Sequence, residues 1–206
     1  MLEPVKHILS SKRIILASGS PRRRELLHNI GIKCEIIPST FEENLDPKKY
    51  APDVFVTETA KFKVLEVAER LASDVRPPDL IIGCDTTVAL GDTMLGKPTS
   101  SENAFEMLSM LSGKSHTVYT GVVLKTPDKT VSFCESTKVF FAKLSPDVIK
   151  SYIATGEPMD KAGAYGIQGI GGSIIEKIDG DYFTVMGLPL CSLSKYILEL
   201  LEEKRL

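Results

Sequence analysis

Residues 12–38 read KRIILASGSPRRRELLHNIGIKCEIIP, and this stretch decides the fold class. Two apolar runs, each typical of a short buried strand, flank a segment with helical spacing of its leucines. Ser20 and Pro21 are suited to the cap and first position of a helix, and Gly31 is suited to its end. The pattern therefore predicts a helix over residues 21–30 between two strands. The predicted strands span residues 12–17 and 33–38.

The rest of the chain continues this alternation of strands and helices. The predicted order is β-α-β-α-β-β-α-β-β-α-β-α, which is neither all-parallel nor segregated into strands and helices. We therefore predict an α/β fold whose large mixed sheet contains parallel and antiparallel strands and is flanked by helices. No internal repeat, low-complexity tract or linker divides the sequence, so residues 1–206 are predicted to form a single domain.

Composition excludes several classes of protein. The 206 residues carry a net charge of −2, whereas a general nucleic-acid binder would be basic. The four cysteines lie far apart and the three histidines form no metal-ligand pattern, which argues against structural zinc. No run approaches the length of a membrane span, and the first residues lack the apolar region of a signal peptide. A cytoplasmic protein without a membrane partner is expected.

The turn SGSPRRR, residues 18–24, places positive charge at a helix start that is already electropositive. Backbone N–H groups, two hydroxyls and the Arg22 and Arg23 guanidinium groups together predict an anion site. The alternative is a solvated surface turn whose arginines pair with nearby carboxylates such as Glu25. Arg24 is expected to face solvent.

Two acidic stretches are candidates for a catalytic or metal site. GCDT interrupts a predicted strand over residues 80–90, and Asp85 would then end an apolar strand, where a carboxylate is costly unless it is paired or metal-bound. The alternative is a turn aspartate that bonds its own backbone. FEEN supplies Glu43, which could hold a hard cation together with Asp85, or could be ordinary surface acidity.

Two lysines and one long loop complete the candidates. Lys63 lies on the apolar side of a predicted helix, and Lys97 follows a predicted hairpin; either could reach a ligand or be an ordinary surface residue. Residues 156–172, GEPMDKAGAYGIQGIGG, form a long loop, and loops of this length are often functional. Its polar candidates are Glu157, Asp160, Lys161 and Gln168, of which the Gln168 amide could pair with a base edge.

Six motifs, in this order along the chain, resemble those of the Maf family of nucleoside triphosphate pyrophosphatases, also described as septum formation inhibitors. They are SGSPRR, ETAKFK, GCDTTV, LGKP, LSGKSHTVYTGV and GEPMDKAGAYGIQG. The resemblance implies a fold related to the inosine triphosphate pyrophosphatases, with two lobes around a cleft, a homodimer and Mg²⁺ or Mn²⁺ as cofactor. The motif DKAGAYGIQG is similar to that of the branch acting on dTTP and UTP.

The resemblance also implies roles for individual residues. Asp85 would be the general base, and it would hold the metal with Glu43, although the neighbouring Glu42 is an alternative. Arg22, Thr86 and Gln168 would select the substrate. The residues expected to line the triphosphate are Ser18, Ser20, Arg23, Lys63 and Lys97.

The implied reaction is hydrolysis of dTTP or UTP to the monophosphate and pyrophosphate. A second hypothesis is a nucleotide-binding regulator of cell division with little or no catalysis. An RNA-binding role for the arginine turn is disfavoured by the net charge and by the lack of an aromatic stacking motif.

Overall fold

The computed structural model describes residues 1–206 and contains a mixed sheet with flanking helices, which confirms the predicted fold class. The strands are β1 (Ile14–Leu16), β2 (Glu35–Ile36), β3 (Leu80–Leu90), β4 (Thr93–Leu95), β5 (Ser115–Lys125), β6 (Thr130–Phe141) and β7 (Ile175–Asp179). The helices are α1 (Lys6–Leu9), α2 (Pro21–Asn29), α3 (Pro52–Arg70), α4 (Ser101–Leu111), α5 (Pro146–Ala154), α6 (Tyr182–Met186) and α7 (Leu190–Glu202). No helix is long and apolar enough to cross a lipid bilayer.

Strand order makes the sheet mixed, as predicted. The order is β2-β1-β3-β5-β6-β7, and β4 pairs with β3 outside this path. Strand β1 is parallel to both β2 and β3, whereas β4 is antiparallel to β3 and β7 is antiparallel to β6. The short connections at the β3–β4 turn therefore give antiparallel pairs, and the helical connections α2 and α3 give parallel ones.

Local capping chemistry fixes helix α2 where the sequence predicts it. The Ser20 side chain accepts a hydrogen bond from the Arg23 amide, and Pro21 is the first helical residue. At the other end Gly31 adopts a φ of 79°, and the Ile32 amide donates to the Leu27 carbonyl at 2.9 Å. This closing pattern is a Schellman motif, which requires a residue that tolerates positive φ.

Strand β3 corrects the prediction for GCDT. The sequence suggested that these residues interrupt the strand and that Asp85 ends it, but β3 runs without a break from Leu80 to Leu90 and Asp85 lies in its middle. The prediction was wrong because a charged side chain within an apolar run does not by itself end a strand. Strand β3 is central in the sheet, and the Asp85 carboxylate is paired with Lys63 of α3, so neither backbone nor side chain has to leave the sheet.

Internal contacts divide the chain into two compact units, each assembled from separate segments. The first comprises Met1–Asp85, Thr120–Cys134 and Gly187–Leu206, and the second comprises Thr86–Tyr119 and Glu135–Met186. In the first unit α3 packs on β1 and β3 through a core that includes Ile15, Val64 and Ile81. In the second unit α4 and α5 pack with strand residues around Leu108, Val139 and Phe141.

Two glycines allow α3 to approach the sheet of the first unit closely. A Cβ on Gly83 of β3 would overlap the Val64 side chain and would lie 2.9 Å from the Ala60 carbonyl oxygen. A Cβ on Gly121 of β5 would lie 2.6 Å from the Thr57 amide nitrogen. Close packing at Gly83 matters for the candidate site, because α3 carries Lys63 and β3 carries Asp85.

Replacing Gly83 by alanine is expected to destabilise the protein. The added methyl group meets Val64 and a backbone oxygen, so α3 has to shift, and overpacking of this kind costs about 1–3 kcal/mol. Urea unfolding measures the loss. Gly96→Ala is the matched control, because nothing lies within 4 Å of a Cβ at that position, and it should change the free energy of unfolding by less than about 0.5 kcal/mol. Equal stability of both variants would contradict the close approach.

Other elements differ from the predictions in extent. Strand β2 has two residues where six were predicted, and helix α6 was not predicted. Ser145 followed by Pro146 predicts a helix start with Ser145 as the cap and Pro146 as the first residue. The structure confirms this start, because the Ser145 hydroxyl accepts from the Val148 amide. Residues 156–172 form the predicted loop, built from short 3-10 turns at Glu157–Asp160, Ala162–Ala164 and Gly169–Ile174.

Candidate active site

The centre of the candidate site is a carboxylate buried in β3. Asp85 is 8% exposed, and its Oδ1 lies 2.7 Å from the Lys63 Nζ of α3. Lys63 Nζ also lies 2.8 Å from Oε1 of Glu43, which stands on the loop after β2. One ammonium group thus bridges two carboxylates. The structure places Glu43, rather than the alternative Glu42, beside this lysine.

Exposure distinguishes the two carboxylates that share Lys63. The side chains of Lys63 and Asp85 are each 12% exposed, whereas that of Glu43 is 56% exposed. Burial raises the pKa of the Asp85 carboxyl, and the nearby Glu43 charge acts in the same direction. The Lys63 and Arg23 charges oppose this rise. Asp85 is therefore the carboxylate of the pair that is poised to exchange a proton above the ordinary aspartate range.

Arg23 is hydrogen-bonded to the backbone next to Asp85. Its Nε donates to the Gly187 carbonyl at 2.8 Å, and one terminal nitrogen donates to the Cys84 carbonyl at 2.9 Å and to Ser18 Oγ at 3.0 Å. Arg23 thereby joins the end of β1, the middle of β3 and the segment before α7. The sequence predicted a phosphate ligand here; its role toward substrate stays a prediction, and the geometry adds a structural role.

The arginine run separates into three environments. Arg22 is half-buried in the first turn of α2, Arg23 is half-buried against backbone carbonyls, and Arg24 is exposed as expected. Ser18 of the same turn contacts Arg23, because its Oγ accepts from the Arg23 guanidinium group. The same oxygen also accepts from the Ser20 amide at 3.3 Å. The first unit therefore brings together six of the predicted residues: Ser18, Ser20, Arg23, Lys63, Glu43 and Asp85.

Of the remaining predicted residues, Arg22 belongs to the first unit and three belong to the second. Thr86 follows Asp85 on β3 and is half-buried, Lys97 is exposed after β4, and Gln168 is half-buried in the loop before Gly169. The Gly163 amide donates to the Gly96 carbonyl at 3.0 Å. This bond ties the segment that carries Lys97 to the loop that carries Gln168.

The sequence did not predict how Tyr152 and Glu157 hold the loop of the second unit. Tyr152 was not among the candidates, although its hydroxyl donates to Glu157 and accepts from the Gly166 amide. Glu157 was grouped with the polar candidates of the loop, but its carboxylate is bonded to the loop backbone. The density of glycines in GIQGIGG was the available signal, because glycine permits such a close approach of backbone to a side chain.

The donor set fits a polyanion that carries a hard cation. Arginines and hydroxyls at the start of α2 suit phosphate oxygens, and the Asp85 and Glu43 oxygens suit Mg²⁺ or Mn²⁺. No group of three or more His, Cys, Asp or Glu side chains is arranged to hold a metal ion. Two protein carboxylates fit Mg²⁺ nonetheless, since this ion usually keeps water and substrate phosphates among its ligands.

A mixed α/β sheet with a lysine-bridged carboxylate beside an arginine-rich helix start defines a class of protein suited to phosphate chemistry. The chain belongs to the Maf family: the family profile described as Maf-like protein matches residues 13–200.

Named relatives agree with this assignment. A dTTP/UTP pyrophosphatase of Clostridium perfringens (strain SM101 / Type A) is 47% identical over 89% of this chain and 94% of its own length. One of Thermoanaerobacter sp. (strain X514) is 48% identical over 88% and 93%. A human protein named probable bifunctional dTTP/UTP pyrophosphatase/methyltransferase protein is 45% identical over 97% of this chain, which spans 34% of that protein.

A solved structure was also matched. The Ham1 protein of Staphylococcus aureus has a TM-score of 0.46 and 18% identity, over 80% of each chain.

Proposed function

We propose that this protein hydrolyses dTTP and UTP to the nucleoside monophosphate and pyrophosphate, a house-cleaning activity that could extend to modified pyrimidine nucleotides. The observation that carries the proposal is the buried Asp85 paired with Lys63 beside the Arg22–Arg23 helix start. The names of the Clostridium and Thermoanaerobacter relatives support it, because each is nearly half identical to this chain over most of both sequences.

In the proposed reaction Asp85 takes a proton from the water that attacks the α-phosphorus. A bond forms between the water oxygen and this phosphorus, and the bond to the bridging oxygen of the β-phosphate breaks. Pyrophosphate leaves with the electron pair of that bond. Lys63, Lys97 and Arg22 neutralise the developing negative charge, which is the main task of a protein in phosphoryl transfer.

A divalent cation is part of the proposal. Asp85 and Glu43 would hold Mg²⁺ or Mn²⁺ with oxygens of the substrate, and the cation would offset the charge on the phosphates. Lys63 already holds both carboxylates near one point, at 2.7 and 2.8 Å. The raised pKa of Asp85 favours this residue as the base, and the exposed Glu43 is the better placed of the two to receive a hydrated ion.

Base selection is assigned to Gln168 with Arg22 and Thr86. The Gln168 amide offers one donor and one acceptor, which complement the N3–H and O4 edge shared by uracil and thymine. We further propose a homodimer that acts in the cytoplasm and needs neither nucleic acid nor a membrane.

Product analysis tests the proposal on the purified full chain with Mg²⁺. The expected result is pyrophosphate from UTP and dTTP, detected as phosphate only after addition of inorganic pyrophosphatase, with higher kcat/KM than for ATP or GTP. Phosphate released without the added enzyme would contradict cleavage at the α-phosphorus. Tight UTP binding with no turnover would favour the alternative, a nucleotide-binding regulator.

A further inference from the structure

The Glu157 carboxylate is the hub of the loop that carries Gln168. Its Oε1 accepts from the Tyr152 hydroxyl at 2.9 Å and from the Gly171 amide at 2.9 Å, and its Oε2 accepts from the Ile170 amide at 3.0 Å. Three donors on two oxygens leave the carboxylate well satisfied. Two of those donors are backbone groups that follow Gln168 by two and three residues.

The same hub holds the loop on the other side of Gln168. The Gly166 amide, two residues before Gln168, donates to the Tyr152 hydroxyl at 3.1 Å. Tyr152 itself is 4% exposed and belongs to the hydrophobic core of the second unit. The Tyr152–Glu157 pair therefore fastens both flanks of the Gln168 turn to α5 and its core.

The glycines that follow Gln168 lie so close to Glu157 and Tyr152 that a side chain would not fit there. A Cβ on Gly169 would lie 2.8 Å from Glu157 Oε2, and the residue has a φ of 64°. A Cβ on Gly171 would overlap the Gly166 carbonyl oxygen and the Tyr152 hydroxyl. The glycines of GIQGIGG are thus explained by the close packing of the loop backbone around the Glu157 carboxylate.

The surroundings of the Glu157 carboxyl favour its ionised form. Burial acts to raise the pKa of the Glu157 carboxyl, but the hydrogen bonds from the Gly171 amide, the Tyr152 hydroxyl and the Ile170 amide hold it below the usual glutamate range. Lys161 adds to this effect, and its ammonium group donates to the Glu157 carbonyl at 2.6 Å. Charge-assisted bonds of this kind are stronger than neutral ones.

We infer that Glu157 is the positioning residue for Gln168, and that the discrimination between pyrimidine and purine triphosphates depends on the hydrogen bonds that Glu157 accepts from the Ile170 and Gly171 amides and, through Tyr152, on the bond from the Gly166 amide. The inference rests on the proposed function, since it assumes that Gln168 selects the base. Glu157 acts through Gln168 and is given no contact with the substrate.

Glu157→Ala and Gln168→Ala should change base selection in the same way. Each is expected to lower the ratio of kcat/KM for UTP over GTP about tenfold, the effect of one well-placed hydrogen bond. The double variant should show no further drop, because both changes remove one function. Glu157→Gln keeps the size of the side chain and one carbonyl acceptor, so its ratio should lie between those of the wild type and Glu157→Ala.

Amide hydrogen exchange of the substrate-free protein gives a readout that does not need catalysis. Glu157→Ala should lose protection at Gly166, Ile170 and Gly171, whereas the control Glu176→Gln, an exposed carboxylate on β7, should leave both protection and substrate ratio unchanged. Unchanged protection in Glu157→Ala would overturn the inference. So would a fall in kcat/KM that is equal for UTP and GTP, or effects of Glu157→Ala and Gln168→Ala that simply add.

The same experiment separates this inference from the proposed function. If Glu157→Ala exposes the amides but Gln168→Ala leaves the substrate ranking intact, the base-selecting role of Gln168 fails and the assignment of Glu157 to base selection fails with it. If Gln168→Ala changes the ranking and Glu157→Ala does not, only the inference about Glu157 fails.

Discussion

Asp85→Asn is expected to lower kcat/KM for UTP by about 10²–10⁴-fold, the usual contribution of a general base. Asparagine keeps the shape of the side chain but cannot accept the proton of the attacking water at neutral pH. Substrate binding should persist, since the arginine turn and the second unit are untouched. Steady-state pyrophosphate release, together with UTP binding measured by calorimetry, checks both expectations.

A control and a pH profile make this result specific to Asp85. Asp92→Asn changes an exposed carboxylate in the β3–β4 turn and should leave kcat/KM unchanged. Because burial raises the pKa of Asp85, the wild-type rate should fall with decreasing pH while still above the ordinary aspartate pKa of about 3.9. This acid limb should be missing from the residual activity of Asp85→Asn. If Asp85→Asn turned over UTP at the wild-type rate, Asp85 could not be the general base.

The parts of the fold predicted correctly are those fixed by local chemistry. Ser20, Pro21 and Gly31 define helix α2 because a cap, a first-turn proline and a left-handed glycine act within one turn of the chain. Ser145 defines the start of α5 in the same way. No distant residue is needed to read these signals, so the sequence alone is sufficient.

Errors arose where the deciding partner is remote in sequence. Asp85 was read as the end of a strand because Lys63, the residue that neutralises it, lies 22 positions away. The structural role of Arg23 was not predicted because one of its acceptors, the Gly187 carbonyl, lies 164 positions away, while its role toward the phosphates stays a prediction. Hydrophobic periodicity reports burial of a strand or helix face, but it does not report which buried charges meet.

The resemblance to the Maf family supplied residue roles that local chemistry could not predict. Thr86, Lys97 and Gln168 have no feature in their own surroundings that distinguishes them from ordinary polar residues, and their assignment came from motif order. The structure adds contacts that no motif describes, such as the hydrogen bonds that the Ile170 and Gly171 amides donate to Glu157.

Lys63→Met should be the most destabilising single change at the site. Methionine fills a similar volume but leaves the Asp85 carboxylate buried without its cation, and breaking a buried pair in this way costs about 3–5 kcal/mol. Urea unfolding at pH 8 measures the loss. Lys61→Met on the same helix is the matched control, because the side chains of Lys61 and its partner Glu58 are 42% and 32% exposed, and it should cost less than about 0.5 kcal/mol.

The loss in Lys63→Met should depend on pH with a definite sign. Without the ammonium group the pKa of folded Asp85 rises further, whereas that of the unfolded chain stays at about 3.9. Between these values the folded protein holds a proton that the unfolded chain has released, so its stability falls as pH rises. Lys63→Met should therefore lie closer to wild type at pH 5 than at pH 8.

The double variant Lys63→Met/Asp85→Asn isolates the cause. If the unpaired charge is responsible, asparagine removes it, and stability at pH 8 should recover over that of Lys63→Met alone even though a second native group has been lost. If Lys63 matters only for packing of its stem on α3, the double variant should be no more stable than the single one. Recovery would show that Lys63 holds Asp85 ionised inside the sheet, which is the condition under which a buried aspartate can serve as a base.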